Sequence, residues 1–174
     1  MLEKLRADDF ENVFEIMKDS FPKDEYRPFE EQKALLKVPE YQIYAFRNSE
    51  AQTIKAFIAV WNFSSTVFIE HFAVNSEYRN CGLGSKMLKE LTDKLKKPLC
   101  LEVELPKDQI SARRIEFYKR NNFFLNEYPY IMPPVSKGRK PLNMQIMTSG
   151  RPISQNEFEE IKALLYSRVY NCPI

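Results

Sequence analysis

The chain has few of the residues on which metal, triad and disulfide chemistry depend. Among its 174 residues there is one histidine, His71, and there are three cysteines, Cys81, Cys100 and Cys172, with no CxxC pair. A single histidine leaves little scope for classical metal and triad chemistry. Three scattered cysteines argue against a disulfide framework and against a zinc site. The sequence therefore predicts that no metal is bound.

Long apolar runs and a strong charge imbalance are also missing. No segment approaches the roughly 18 uninterrupted apolar residues of a membrane span, and the N-terminus lacks the apolar region of a secretory signal. The formal net charge is only +2. We therefore interpret the patch at Lys137, Arg139 and Lys140 as a solvated loop rather than a nucleic-acid site. The expectation is a cytoplasmic protein with neither a membrane nor a nucleic-acid partner.

Apolar and aromatic residues follow helix and strand periods along the whole chain, whose length suits one compact domain. The predicted order is two helices, three strands with a hairpin at 48–50, and then alternating helices and strands, which indicates an α+β or α/β three-layer domain. The predicted helices are 8–20, 30–37, 84–97, 108–120 and 154–170. The predicted strands are 41–47, 54–63, 66–74, 99–105, 123–126 and 142–148, with a long loop at 129–141.

Glycine is scarce, with four in the chain, yet Gly82 and Gly84 lie together between a predicted strand and a predicted helix. Backbone N–H groups at such a turn point outward at the positive end of the helix dipole, which makes the turn suited to binding phosphate. Glycines there can equally be simple turn residues. The spacing fits neither the GxxxxGK[ST] nucleotide loop nor GxGxxG.

Two separated segments resemble signatures of the GNAT acetyltransferase superfamily. The first runs from Val74 to Gly84 and resembles the family's valine followed by (R/Q)xxGxG/A, with Ser76 at the usual proline position. The second, Ser111 to Phe123, resembles NxxAxxFYxxxGF, with Ser111, Arg114 and Asn122 replacing the customary asparagine, alanine and glycine. The resemblance implies a mixed, mostly antiparallel central sheet flanked by helices, forming one N-acetyltransferase domain over 1–174 with an added C-terminal helix at about 150–174.

The resemblance also implies acetyl-CoA as co-substrate. In the family, the glycine turn holds the pyrophosphate and the preceding strand pairs with the pantetheine arm. The residues implied here are Phe72, Ala73, Val74, Arg79, Asn80, Cys81, Gly82, Leu83, Gly84, Ser85, Ser111 and Tyr118. Tyr118 matches the tyrosine to which the family assigns protonation of the departing thiolate, although it can also be read as a core aromatic.

Carboxylates on two strands are candidates for a base or for binding a cationic amine, or they simply face solvent. Strand alternation predicts Glu70 on the face of Phe72 and Val74, with His71 on the opposite face as a packing residue. Glu102 and Glu104 share a face on the neighbouring strand. In the family the acceptor site is walled by two loops, which implicates Glu25, Tyr26 and Arg27 in one and Tyr130 in the other.

The predicted function is transfer of an acetyl group from acetyl-CoA to a primary amine, with a small molecule as the amine and direct attack in a ternary complex. Two alternatives are an acyl-CoA-binding module without catalysis and an enzyme that acetylates a peptide or protein. We expect a monomer or a homodimer.

Overall fold

The computed structural model describes residues 1–48 and 53–172, which form two compact units, Met1–Lys97 and a second unit that begins at Pro98. Seven strands and five helices lie within the described residues. They confirm the predicted fold class, a mostly antiparallel α+β fold whose strands are flanked by helices. None of the helices in the described ranges has the length and apolar character needed to cross a membrane.

The first unit is an antiparallel meander covered by helices. Its strands are β1 (Glu3–Lys4), β2 (Tyr41–Arg47), β3 (Ile54–Asn62) and β4 (Val67–Val74), paired in that order. Its helices are α1 (Phe10–Ser20), α2 (Phe29–Ala34) and α3 (Leu83–Leu95). Helix α1 packs on β3 and β4 through fully buried side chains such as Val13 and Met17.

The second unit contains three strands and two helices. Strands β5 (Leu99–Glu104) and β6 (Phe123–Met132) both pair antiparallel with β7 (Leu142–Ser149), which therefore lies between them. Helices α4 (Gln109–Arg120) and α5 (Gln155–Arg168) pack on these strands. A capping box begins α5, because Ser154 and Glu157 hydrogen-bond each other's backbone N–H groups.

Several predicted boundaries are wrong. Helix α1 begins at Phe10 after a short 3-10 turn and not at residue 8, and Asp9 at its start pairs with Arg6 and Arg47 at 2.9 and 2.8 Å. Strand β6 continues to Met132, because the segment around Pro129 is accommodated by a shift of register between β6 and β7. Strand β1 has only two residues, too few to show a period.

The predicted hairpin turn at 48–50 lies partly outside the described residues. Ser49 and Glu50 fall in the range that is not described, whereas Asn48 donates its backbone N–H to the carbonyl of Thr53 at 2.9 Å. Strands β2 and β3 on either side pair antiparallel as predicted.

Candidate functional site

The turn between β4 and α3 contains two residues with positive φ that are close in sequence. A 3-10 turn at Ser76–Tyr78 is capped by the side chain of Asn75, which accepts a hydrogen bond from the Glu77 N–H at 3.2 Å. Asn80 and Gly82 then have φ of 63° and 76°. Left-handed residues alternating with ordinary ones turn backbone N–H groups into a concave surface that suits an anion.

Helix α3 begins directly after this turn and offers its N-terminus to the same surface. The first-turn N–H groups of a helix have no partner within the helix, and Gly82 supplies no side-chain cap here. The first turn of α3 also contains no acidic residue. The helix dipole, the uncapped amides and the left-handed residues therefore fit a pyrophosphate, as the glycine turn predicts.

The predicted cofactor residues around this turn differ in how firmly they are held. Arg79 is exposed and its Nε donates to the carbonyl of Val74 at 2.9 Å, so the side chain folds back to the end of β4. The Cys81 thiol donates to the Tyr78 carbonyl at 2.8 Å. Leu83 is buried and anchors the start of α3. The other predicted residues of this group, Phe72, Ala73, Gly84 and Ser85, lie in β4 or in the first turn of α3.

Two further predicted cofactor residues lie on α4 in the second unit. The Ser111 hydroxyl is engaged locally, because it donates to Asp108 within the capping box of the helix. Tyr118 is buried, with its ring edge-on to Phe117 and Phe123 at centroid distances of 5.2 and 5.6 Å. Burial raises the pKa of Tyr118 to about 12, against a smaller lowering effect of Arg114. The phenol therefore keeps its proton throughout the physiological range.

A buried ion pair connects strand β4 to residues 21–28, the acceptor loop, which contains the predicted substrate residues Glu25, Tyr26 and Arg27. Arg27 Nη1 donates to Glu70 Oε1 at 2.7 Å, and the two side chains are only 6% and 4% exposed. Burial is the largest single influence and raises the pKa of Glu70, but the charges of Arg27 and His71 and the hydrogen bond from Arg27 together outweigh it, so the net shift is downward. The predicted role of Glu70 as a general base is not supported by these contacts, because a carboxylate with a lowered pKa accepts a proton poorly.

The prediction that Glu70 and His71 lie on opposite faces of β4 is wrong. Ala59 of β3 pairs with His71 whereas Val60 pairs with Ile69, so Glu70 is the extra residue of a β-bulge. A bulge interrupts the alternation of side chains along a strand. His71 Nδ1 consequently lies 3.6 Å from Glu70 Oε2, and its other nitrogen, Nε2, donates to the backbone carbonyl of Glu25 at 2.9 Å.

The remaining predicted substrate residues lie in the second unit. Glu102 accepts hydrogen bonds from the hydroxyls of Tyr130 and Tyr170, the latter at 2.6 Å. Burial and the Glu102 charge both raise the pKa of Tyr130. Glu104 lies at the end of β5 and is half-buried.

Tyr130 also lines an open pocket of about 450 Å³ beside the bulged part of β6. The rings of Tyr128 and Tyr166 form other parts of its wall, with Glu127 and Lys162 as the charged groups. The hydroxyls of Tyr128 and Tyr166 donate to backbone carbonyls at 3.1 and 2.5 Å. The pocket therefore offers aromatic surface with one charge of each sign, consistent with the predicted placement of Tyr130 at a binding surface.

The sequence did not indicate two residues that hold these sites together. Gln32 is fully buried and joins the Arg27 N–H to the Tyr41 hydroxyl, at 3.2 and 2.8 Å. Its only signal is a polar residue in an amphipathic helix, which surface exposure would explain as well. Tyr170 was assigned only to the end of α5, and its contact with Glu102 depends on tertiary packing that spacing does not reveal.

Comparison with known proteins points to the same family over most of the chain. The model of the acetyltransferase (GNAT) family matches residues 5–123. A candidate acetyltransferase of Bacillus subtilis (strain 168), YjbC, is 32% identical over 115 residues, which are 64% of this chain and 56% of that protein. The chain thus spans little more than half the length of this curated relative.

Two solved structures share the fold. A candidate GNAT-family acetyltransferase from Bacteroides thetaiotaomicron is 30% identical, with 99% of each chain covered and a TM-score of 0.89. An aminoglycoside 6'-N-acetyltransferase in complex with coenzyme A is 14% identical and covers 88% of this chain and 99% of its own, with a TM-score of 0.64. At that identity the second structure supports the fold alone.

Proposed function

The chain belongs to the acetyltransferase (GNAT) family, and we propose that it transfers an acetyl group from acetyl-CoA to a primary amine of a small molecule. Both units would form one N-acetyltransferase domain, with the C-terminal helix as an addition. The Bacteroides thetaiotaomicron structure, which is similar over 99% of the chain, supports the family assignment. The observation that carries the proposal is the turn between β4 and α3, where the chain's own backbone provides an anion site.

Within this proposal, the residues of the chain have separate tasks. The amides from Asn80 to Ser85 hold the pyrophosphate of acetyl-CoA, and the backbone of Phe72 to Val74 aligns its pantetheine arm. The thioester supplies the carbonyl that a neutral amine attacks directly. Tyr118 donates its phenolic proton to the departing thiolate, and its raised pKa keeps the phenol protonated until that step although it makes the phenol a weaker acid.

The acceptor would be bound by the acceptor loop and by the surface around Tyr130. Glu25, Tyr26 and Arg27 occupy the first of these, and Tyr130 lines the pocket in the second unit. A cytoplasmic location and a monomeric or homodimeric state accompany the proposal as predictions.

The decisive experiment is an acetyl-transfer assay with acetyl-CoA and a panel of amines. Release of the free thiol of CoA and the mass of the acetylated product measure the transfer. The panel should contain small primary amines, polyamines, aminoglycosides and peptides with free N-termini. A mass gain of one acetyl group on a small amine supports the proposal. Transfer to peptides alone would replace the acceptor class, and binding of acetyl-CoA without transfer to any amine would indicate a binding module.

Acetyl-CoA is expected to raise the melting temperature of the protein, and Gly82→Ala is expected to remove most of that increase. A ligand that binds the native state at 100 times its Kd contributes about 2.7 kcal/mol. Gly82 has φ of 76°, and a Cβ there would meet no atom within 4 Å, so the substitution acts through backbone conformation alone. Differential scanning fluorimetry with and without acetyl-CoA measures both effects.

Gly150→Ala is the matched control for this experiment. Gly150 has φ of 82° and equally open surroundings, but it follows β7 and belongs to no predicted site. Both alanine variants should lose similar stability without ligand, at roughly 1–2 kcal/mol for a left-handed residue. If Gly82→Ala keeps the full acetyl-CoA shift, the turn is not the pyrophosphate site.

A further inference from the structure

Buried contacts hold the acceptor loop to strand β4. Its Arg27 side chain pairs with Glu70 at 2.7 Å, and its Glu25 carbonyl accepts a hydrogen bond from His71 at 2.9 Å. Glu70 and His71 are consecutive residues of the β4 bulge. Glu25 and Arg27, two residues apart in the loop, are therefore held by adjacent residues of the strand.

Aromatic packing fixes the remainder of the loop to the same strand and to the neighbouring helix. The ring of Phe21 lies edge-on to His71 at 5.1 Å, and the ring of Tyr26 lies edge-on to Phe14 of α1 at 5.8 Å. The loop is thus attached at both ends and in its middle. These contacts restrict the motion of the loop and the positions of its side chains.

Stability alone does not explain why charges are used for this attachment. Removing two charges from water costs several kcal/mol per ion, and well-packed apolar residues often stabilise a core as well as a buried ion pair. Hydrogen-bonded charged groups differ from apolar ones in that their contacts are directional, so they restrict the geometry of the loop more. The bulge supports this interpretation, since bulges commonly redirect side chains beside functional sites.

The histidine is suited to this task because its tautomer is defined. Nε2 faces a carbonyl oxygen, which can only accept, so Nε2 carries the hydrogen and Nδ1 is left as an acceptor when the ring is neutral. Burial lowers the pKa of His71 more than Glu70 raises it, which favours the neutral ring. The ring therefore acts as a fixed donor to the loop.

We propose that Arg27, Glu70 and His71 form a loop anchor, which positions the acceptor loop and so sets the affinity for the amine without contributing to acetyl-CoA binding. This inference rests on the proposed function for the identity of the loop as an acceptor wall. A preformed wall avoids the entropy cost of ordering a loop when the amine binds. His71 is then a positioning residue and not a base.

The test compares His71→Leu with the conservative variant His71→Gln. Leucine removes the hydrogen bond to the Glu25 carbonyl. The side-chain nitrogen of glutamine lies about as far from the backbone as Nε2 of histidine, so it can donate to the same carbonyl. We expect His71→Leu to raise KM for the amine about tenfold, the effect of losing one buried hydrogen bond. KM for acetyl-CoA should stay within about twofold of wild type, and His71→Gln should restore most of the amine affinity.

Arg47→Met serves as the control for general destabilisation. It breaks the Arg47–Asp9 pair, which lies in the same unit and is similarly buried, at 11% and 16% exposure. This variant should leave both KM values unchanged. An equal rise of both KM values in His71→Leu, or an unchanged KM for the amine, would overturn the proposal.

Hydrogen exchange gives a readout that does not depend on activity. Amides of residues 21–28 should exchange faster in His71→Leu than in wild type, while those of α3 (Leu83–Leu95) should not change. Unchanged exchange in the loop would refute the anchor. If exchange rises but no amine is acetylated by the wild type, the anchor stands as a structural device and the proposed function fails.

Discussion

Tyr118→Phe is expected to lower kcat for acetyl transfer by about 10²- to 10⁴-fold while KM for acetyl-CoA changes little. This range is the usual contribution of a positioned general acid. The substitution removes one hydroxyl and keeps the ring, so the edge-on packing against Phe117 and Phe123 is retained. Steady-state kinetics with an amine found in the panel assay measures the change.

The pH profile provides an independent check on the same residue. With a pKa of about 12, the Tyr118 phenol stays protonated at every pH at which the assay is practical. The wild type should therefore show no alkaline loss of kcat that is due to Tyr118. An acidic limb is still expected, because the attacking amine must be neutral.

Tyr44→Phe is a suitable control for loss of a tyrosine hydroxyl. Tyr44 is buried, its hydroxyl donates to Gln42 Oε1 at 2.6 Å, and it belongs to no predicted site. Its kcat should remain close to that of wild type. If Tyr118→Phe behaves like Tyr44→Phe, then Tyr118 is only a core aromatic and another group protonates the thiolate.

The features that the sequence predicts well are those encoded by neighbouring residues. The strands β2 to β4, the helices α3 to α5 and the turn with Gly82 follow from period, caps and glycine spacing within short windows. Positive φ at Asn80 and Gly82 is likewise a local property. The conformation of this turn is therefore predictable, because it is set by residues of one short segment.

The features that the sequence does not predict arise between distant residues. The bulge at Glu70 depends on how β3 and β4 align. A strand pattern alone predicts strict alternation of side chains between the two faces. The Arg27–Glu70 pair joins positions 43 residues apart. Likewise, the length of β6 depends on its pairing with β7 on both sides of Pro129. Each is decided by tertiary contacts that no short window contains.

Arg27→Met is expected to destabilise the protein by about 3–5 kcal/mol, the usual cost of leaving one partner of a buried ion pair without its counter-charge. The Glu70 carboxylate would remain in a site where it is 4% exposed. For a chain of this length, the loss corresponds to a decrease in melting temperature of roughly 10 °C. Chemical denaturation and calorimetry at neutral pH measure it.

The double variant Arg27→Met with Glu70→Gln separates the charge effect from lost packing. Replacing both charged groups removes the uncompensated carboxylate, so the double variant should be more stable than Arg27→Met alone. If the two variants are equally unstable, packing of the Arg27 side chain and not the ion pair supports the loop.

The destabilisation by Arg27→Met should also depend on pH. The direction of this dependence follows from the folded-state pKa of Glu70, which is lowered in the wild type and raised in the variant. In the wild type the folded-state pKa of Glu70 is lowered, so the stability that it contributes is present above the unfolded-state pKa and is lost as pH falls through the folded-state value. Without Arg27, burial raises the folded-state pKa, so the variant loses stability as pH rises instead. The difference between wild type and variant should therefore be largest near neutral pH and shrink on acidification. A difference that stays constant from neutral to acidic pH would show that Glu70 carries no uncompensated charge in the variant.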